Sequence, residues 1–227
     1  MNASSDTPPG SLLQFDFCVP ESQRLADLYG MAQDVEQAIS FCDLHIEIDP
    51  TEAGISSEER LRREHTRQAL CKAGLVAYAR AFSGAVRPGL DKAFVARLSP
   101  NAQSLHSTVK ALRDKWVAHA VNDFEDVQVR IDATVTANGT VEVRGVSLAS
   151  RAIGGFVMAW MMQFRGLCRE VLALIESDVS SENARLTAIA RELPPATLAG
   201  FQRVDGVPMQ TPTRLDPTRA RSRFKAS

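Results

Sequence analysis

One short stretch of the sequence holds the residue types needed for acid–base chemistry on a phosphate. Arg113, Asp114 and His119 fall within seven consecutive positions, and five residues separate the arginine from the histidine. The ordinary pKa of histidine, about 6.5, suits proton transfer near neutral pH. Arginine keeps a planar positive charge that can hold two phosphate oxygens at once. The stretch therefore predicts phosphate chemistry that needs no metal ion and no other cofactor.

An arginine followed by a polar residue, with a histidine four to six residues further on near a helix end, resembles the signature of HEPN domains. In motif the resemblance covers only Arg113, Asp114 and His119, and in architecture it covers about residues 20–180. It implies a small antiparallel helical bundle that acts as a dimer. It also implies a metal-independent ribonuclease of the kind found in bacterial toxin–antitoxin and abortive-infection systems.

The resemblance gives each residue a role. His119 would be the general base or acid, Arg113 would bind and stabilise the phosphate, and Asp114 would orient one of them. Lys110 and Lys115 would contact backbone phosphates. Six residues along a helix turn through about 600°, so Arg113 and His119 diverge by roughly 120° within one chain. Two such helices at a dimer axis could supply one cleft with both pairs.

A purely structural interpretation of the same stretch stays open. His119 lies seven residues after Leu112, on an apolar seam where a histidine could be a hydrogen-bonded core residue. Residues 113–115 could be a solvated helix face, and Trp116 could stack on His119 within the core. His106 lies seven residues before Arg113 and could join the site or belong to the core. The alternative function is then a non-catalytic helical module that binds a protein partner.

A second arginine–histidine pair has the right spacing but a different context. Arg60 lies four intervening residues before His65, yet the apolar Leu61 follows the arginine and the pair lies at the start of a helix. We therefore expect no site there. No Gly-rich phosphate loop, nucleophile elbow or Glu-x-x-His metal pattern occurs in the sequence.

Composition predicts an ordinary soluble protein. The 227 residues are 44% hydrophobic with a net charge of −1, which excludes a disordered chain and a disulfide-rich miniprotein. Four scattered cysteines without a Cys-x-x-Cys pair favour reduced thiols and a cytoplasmic location. The polar first twenty residues predict no secretory leader. The most apolar stretch, 153–175, contains three charged residues, so we expect no membrane span.

Charge is divided along the chain. Residues 16–59 carry a net charge of −10, residues 60–115 carry +9, and residues 194–227 carry +4. The basic stretch could present a surface that holds phosphates. Alternatively, the acidic first helix packs beside the basic helices and neutralises them.

Hydrophobic periodicity predicts a mainly α fold, an antiparallel four- to five-helix bundle with an inserted β-hairpin. The first helix opens at Pro20 and ends at Asp49-Pro50, and the second begins at Ser56 or Ser57 and runs to about 83–84. Small residues line the second helix and should allow a close approach of another helix. Residues 84–98 form a connection that could hold a short helix. The third helix begins at Ser99-Pro100 and ends near 119–123. The small residues are Ala69, Ala73, Ala77 and Ala81.

A change of periodicity to two predicts the hairpin, at about 126–149. A three-residue loop, 137–139, with a left-handed Gly139, places Val135 opposite Val141 and Ala133 opposite Val143. The apolar positions shift after Gly145, which suggests a bulge at that glycine.

After the hairpin we expect a fourth helix that carries large aromatic residues and a fifth over about 181–193. The domain division is therefore a flexible segment 1–19, a HEPN-like helical bundle 20–193 and a disordered basic tail 194–227. The function expected is RNA binding, with metal-independent endoribonuclease activity, in a bacterial defence or toxin–antitoxin setting. The partners expected are RNA, a second copy of the chain and a protein antitoxin, with no membrane.

Overall fold

The computed structural model describes residues 14–84, 87–117, 125–136, 138–152 and 157–203. These residues form a mainly helical structure with one small antiparallel sheet of two strands. A 3-10 turn, Pro20–Ser22, precedes α1, and a π-helical turn, Arg113–Val117, follows α4. The elements are α1 Gln23–Glu47, α2 Ser57–Ala81, α3 Lys92–Val95, α4 Pro100–Leu112, β1 Glu125–Val135, β2 Val141–Ala152, α5 Met158–Glu192 and α6 Pro195–Gly200.

The helix boundaries follow local capping chemistry. The Ser56 hydroxyl accepts a hydrogen bond from the Glu59 amide at 3.1 Å and starts α2. The Ser99 hydroxyl accepts from the Ala102 amide at 3.3 Å, with proline at the first position of α4. These two predicted starts are confirmed. So is the end of α1 just before Asp49-Pro50.

Helices α1, α2 and α5 build most of the core, with α4 packed against α2 and α5. Along α1 the apolar residues that recur every three or four positions face the core: Leu28, Ala32, Val35 and Cys42 are buried, and Ile39 and Ile46 are half-buried. On α2 the prediction was partly wrong, because Ala69 is exposed. The close approach lies instead at Gly74, where a Cβ would meet the Phe164 ring of α5 at 3.4 Å.

Helix α5 is one continuous helix of 35 residues, so the predicted break before a fifth helix at 181–193 was wrong. At the position of the predicted break, serine hydroxyls bond to carbonyls of the same helix. Ser180 donates to the Glu176 carbonyl at 2.8 Å and Ser181 donates to the Ser177 carbonyl at 3.0 Å. The polar stretch therefore continues the helix without leaving backbone or hydroxyl groups unsatisfied.

The hairpin has the predicted register. Val135 pairs with Val141 and Ala133 with Val143, and Gly139 is left-handed with a φ of 81°. The extra residue of the bulge is Arg144, one position before the predicted Gly145, because Asp132 pairs with Gly145. The pairing places eight apolar residues on one side of the ribbon, which we name the apolar hairpin face. They are Val129, Ile131, Ala133, Val135, Val141, Val143, Val146 and Leu148.

Both ends of the described chain come together, although the sequence predicted mobile segments there. The Asp16 amide donates to the Gln202 carbonyl at 2.8 Å, and the Phe17 and Phe201 rings meet edge to face at 5.3 Å. Helix α6 lies within the predicted tail. Aromatic residues in otherwise polar ends anchor these segments, which is a signal that the periodicity analysis did not use. The remainder of the predicted segments 1–19 and 194–227, namely residues 1–13 and 204–227, lies outside the described residues.

Candidate nucleic-acid interface

The predicted phosphate-binding residues lie where α4 changes its winding. Helix α4 is α-helical to Leu112, and the next five residues, Arg113–Val117, form a π-helical turn. Such turns are rare and frequently lie at functional sites. We call Lys110, Arg113, Asp114 and Lys115 the basic turn. All four residues are exposed.

Among the residues that the structure describes, the partner of Arg113 in the basic turn is itself exposed. Its Nη1 donates to Asp114 Oδ1 at 2.9 Å, and the two side chains are 45% and 58% exposed. An ion pair this open to water contributes little, about 0–1 kcal/mol. A phosphate could therefore displace the carboxylate from the guanidinium at small cost. The predicted role of Asp114, to orient either Arg113 or His119, stays a prediction.

His119 lies outside the described residues, so its predicted role as general base or acid stays a prediction. The structure brings Arg113 and Asp114 into contact and places Lys110 and Lys115 on the same exposed helix end. Cations at this end also interact favourably with the negative end of the helix dipole. Stabilisation of the helix end is therefore an alternative, purely structural role for the same residues.

His106, the second histidine considered for the site, belongs to the core. It is 5% exposed, and its Nδ1 lies 2.8 Å from the hydroxyl of Tyr78 in α2. Its ring packs on Phe82 with a centroid distance of 4.5 Å. Burial, followed by the charge of Lys110, lowers the pKa of His106, and burial raises the pKa of Tyr78. The pair is neutral and structural.

His45 in α1 is also buried in the core. It is fully buried, and neither ring nitrogen has a hydrogen-bond partner among the residues that the structure describes. Burial and the nearby charge of Arg67 lower the pKa of His45 to about 4. The ring is therefore uncharged at neutral pH. His65, by contrast, is exposed on α2.

Part of the charge division is neutralised inside the fold, as the structural alternative predicted. Asp34 of α1 is buried and pairs with Arg80 of α2 at 3.0 Å and with Arg87 of the following connection. Asp43 of α1 pairs with Arg165 of α5 at 2.7 Å. These pairs remove acidic and basic groups from the surface field. The residues of the basic turn lie at the C-terminal end of the basic stretch 60–115 and take no part in these pairs.

The structure also contains a cavity that the sequence did not predict. It has a volume of about 540 Å³ and lies between the N-terminal segment, α1, α5 and α6. Its lining includes Phe17, Cys18, Tyr29, Leu186 and Phe201. The sequence signal that could have indicated this cavity is the presence of Phe17 near one end of the described chain and Phe201 near the other. The lining is mainly apolar and lacks the arginine–histidine combination of the predicted site.

Among the described residues, neither the cysteines nor a cluster of metal-ligating side chains forms a further candidate site. Cys42, Cys71 and Cys168 are buried, unoxidised thiols in the core, and Cys18 is half-buried. Burial and the neighbouring Cys42 thiol raise the pKa of Cys168. Across residues 14–203, wherever the structure describes them, no three histidine, cysteine or acidic residues are grouped as metal ligands would be. None of the helices described over the same ranges has the length and apolar character to cross a membrane.

Comparison with known proteins gives no relative for this chain. No protein-family model, no curated protein and no solved structure matches it.

Proposed function

We propose that this chain is a HEPN-like RNA-binding protein and a metal-independent endoribonuclease. The observation that carries the proposal is the basic turn. Three cations are exposed within six residues: Lys110 near the end of α4, and Arg113 and Lys115 in the π-helical turn that directly precedes the undescribed segment containing His119. Exposed arginine and lysine side chains supply the electrostatic part of RNA binding. The finer architecture, an antiparallel four- to five-helix bundle, belongs to the same proposal.

The proposed reaction uses the RNA's own 2′-hydroxyl as nucleophile. A histidine removes the hydroxyl proton, the 2′-oxygen forms a bond to phosphorus, and the bond from phosphorus to the 5′-oxygen breaks. A protonated histidine gives its proton to the leaving 5′-oxygen. Arg113 stabilises the pentacoordinate phosphorane, whose extra negative charge develops on the non-bridging oxygens. The products are a 2′,3′-cyclic phosphate and a free 5′-hydroxyl.

The reaction needs two histidine functions, and His119 in one protomer supplies only one of them. A cleft shared by two copies would supply both histidines and both arginines. The homodimer is therefore part of the proposal. A bacterial defence or toxin–antitoxin setting, with a protein antitoxin as partner, follows only from the resemblance.

Cleavage of single-stranded RNA in the presence of EDTA tests the proposed activity. We expect the wild-type chain to produce ends with a cyclic phosphate. The variant His119→Ala should lose about 100-fold or more of that rate, because it removes the proton-transfer group. The matched control is His65→Ala, which removes an exposed histidine that follows an arginine at similar spacing. Equal loss in both variants, or an inert wild type on several RNAs, contradicts the proposal.

A second candidate function, a protein–protein interaction module, is favoured by a different observation. The seven large side chains of the apolar hairpin face are between 64% and 72% exposed. Contiguous apolar surface of this kind on a soluble domain marks an interaction site. If the chain is inert on RNA, this function is the one that the hairpin supports.

A further inference from the structure

The apolar hairpin face is built as a single continuous surface. Its four cross-strand pairs run from Val135–Val141 at the loop end to Val129–Leu148, without a polar residue between them. A hairpin of two strands is marginally stable in water unless one face packs against something else. The face therefore has the composition of half a β-sheet core, yet its large side chains are about two-thirds exposed.

The bulge keeps the face continuous. Side chains alternate between the two faces of a strand, so Val143 and Val146, three positions apart, would point to opposite sides of a regular strand. The extra residue, Arg144, corrects the alternation and places Val146 opposite Ile131 on the same side as Val143. Without the bulge, the half of β2 nearer α5 would turn its apolar side chains to the polar face.

Charges lie on the other face of the hairpin and find partners there. Arg144 donates to the Thr134 hydroxyl at 2.9 Å and pairs with Glu142 at 3.4 Å. The Ser147 hydroxyl donates to Asp132 at 3.0 Å. Because the apolar hairpin face carries no charge or hydrogen-bonding side chain, an RNA or a charged peptide has nothing to bind on it. Its occupant must itself be an uncharged, aliphatic surface.

The area of the face fits pairing with an equal surface. A Val, Leu or Ile side chain carries roughly 60–120 Å² of apolar surface. Seven such side chains at the observed exposure present on the order of 300–600 Å² per copy. Two faces in contact bury about twice that area, which approaches the roughly 1,000 Å² of a specific interface.

We propose that the occupant is the same face of a second copy of this chain, related by a two-fold axis. The inference rests on the second candidate function and names its partner. A flat, uncharged, aliphatic face is complementary to itself, and a two-fold interface requires self-complementarity. Two hairpins packed in this way form a four-stranded, two-layer core with the usual sheet spacing of about 10 Å.

The chain's own C-terminal residues are a poor competitor for the face. Residues 204–227 contain five large aliphatic, methionine or phenylalanine residues, five basic residues and two acidic residues. Burying such a segment on the apolar hairpin face would also bury charges without partners there. A second copy brings no charge to the contact.

Two adjacent substitutions test the interface, since neighbouring residues of β2 face opposite sides. Val146→Lys puts a charge on the apolar hairpin face, and Ser147→Lys puts the same charge on the polar face beside Asp132. Sedimentation equilibrium of the full chain should give a dimer for the wild type and for Ser147→Lys. In Val146→Lys we expect the dimer Kd to rise about 100-fold or more, because the two-fold axis buries the charge twice.

A milder variant keeps the hairpin's shape. Ile131→Thr combined with Val146→Thr retains β-branched side chains, and the dimer Kd should rise about tenfold with unchanged circular dichroism. A dimer of wild-type strength in Val146→Lys overturns the inference, and so does a wild type that stays monomeric at all concentrations. A monomer that floats with neutral phospholipid vesicles would assign the face to a lipid surface.

The apolar dye bis-ANS separates failure of this inference from failure of the interaction function. A wild-type monomer whose dye fluorescence falls in Val146→Lys but not in Ser147→Lys has an open face that pairs with another protein. That result overturns only the second copy as partner. A wild-type monomer with equal dye binding in all variants has a covered face, and the interaction function fails with it.

Discussion

His106 within α4 and the basic turn at the end of that helix have opposite environments. His106 is sealed against Tyr78 and Phe82, whereas Lys110, Arg113 and Lys115 are exposed. The spacing of seven residues would place the side chains of His106 and Arg113 on the same face of a regular helix. The winding becomes π-helical after Leu112, whereas His106 lies earlier in the helix, where the Tyr78 ring of α2 packs against it. Helical spacing therefore identifies neighbours along the helix, but packing decides which of them is available to a ligand.

Removal of the sealed histidine should have the largest effect. His106→Ala leaves a cavity and removes the partner of the buried Tyr78 hydroxyl, so we expect the free energy of unfolding to fall by about 4 kcal/mol. Urea denaturation followed by circular dichroism measures the change. Arg113→Ala is the control from the exposed stretch and should change stability by less than about 0.5 kcal/mol. Similar losses in both variants would remove the distinction between the two stretches.

The other sealed histidine should make the fold sensitive to acid. The pKa of His45 is about 4 in the folded chain and near its ordinary 6.5 when unfolded. The unfolded state therefore binds more protons between these values, and stability falls as the pH drops from about 6.5 to 4. The contribution reaches up to about 3 kcal/mol at the lower end.

Thermal unfolding across that pH window checks the prediction. The control is His45→Leu, which removes the titrating group and should flatten the pH dependence while keeping the fold near neutral pH. A variant with the same acid sensitivity as the wild type would show that His45 is not responsible.

For the exposed stretch, loss of the two lysines should weaken RNA binding. Lys110→Ala combined with Lys115→Ala should lower affinity about tenfold at low salt. The slope of log affinity against log salt should fall by about 1.4, as expected for two lost phosphate contacts on a single strand. Lys92→Ala, from the exposed start of α3, is the control and should change neither quantity. An unchanged slope in the double variant would exclude these lysines as phosphate contacts.

The smallest expected effect is loss of one hydrogen bond in the sealed stretch. Tyr78→Phe removes the hydroxyl that meets His106 Nδ1 and should cost about 1 kcal/mol in unfolding free energy. RNA binding should be the same as in the wild type. A change in RNA affinity in this variant would mean that the buried pair communicates with the basic turn.

The sequence was sufficient where local chemistry decides the structure. Ser56 and Ser99 cap helices because their hydroxyls reach backbone amides three residues later, and Gly139 turns the hairpin because it tolerates a positive φ. These features depend on residues close together in the chain. They could therefore be predicted without knowledge of tertiary packing.

Features that depend on distant contacts could not be predicted in this way. The burial of His106 requires Tyr78, 28 residues earlier, and the ordered ends require Phe17 to meet Phe201. On the hairpin, alternation predicted an apolar face, but the same alternation occurs whether that face packs internally or stays exposed. For the candidate site, the sequence identified the exposed Arg113 and Asp114 but could not separate them from His106.

The rate of RNA cleavage in EDTA, compared between Arg113→Ala and His106→Gln, tests the central claim most directly. Both variants are measured at a temperature at which circular dichroism shows them folded. The account predicts cleavage by the wild type, a loss of about 100-fold or more in Arg113→Ala, and a rate within about twofold of the wild type in His106→Gln, since a buried residue has no contact with RNA. An inert wild type, or equal losses in the two variants, would contradict the assignment of the chemistry to the basic turn.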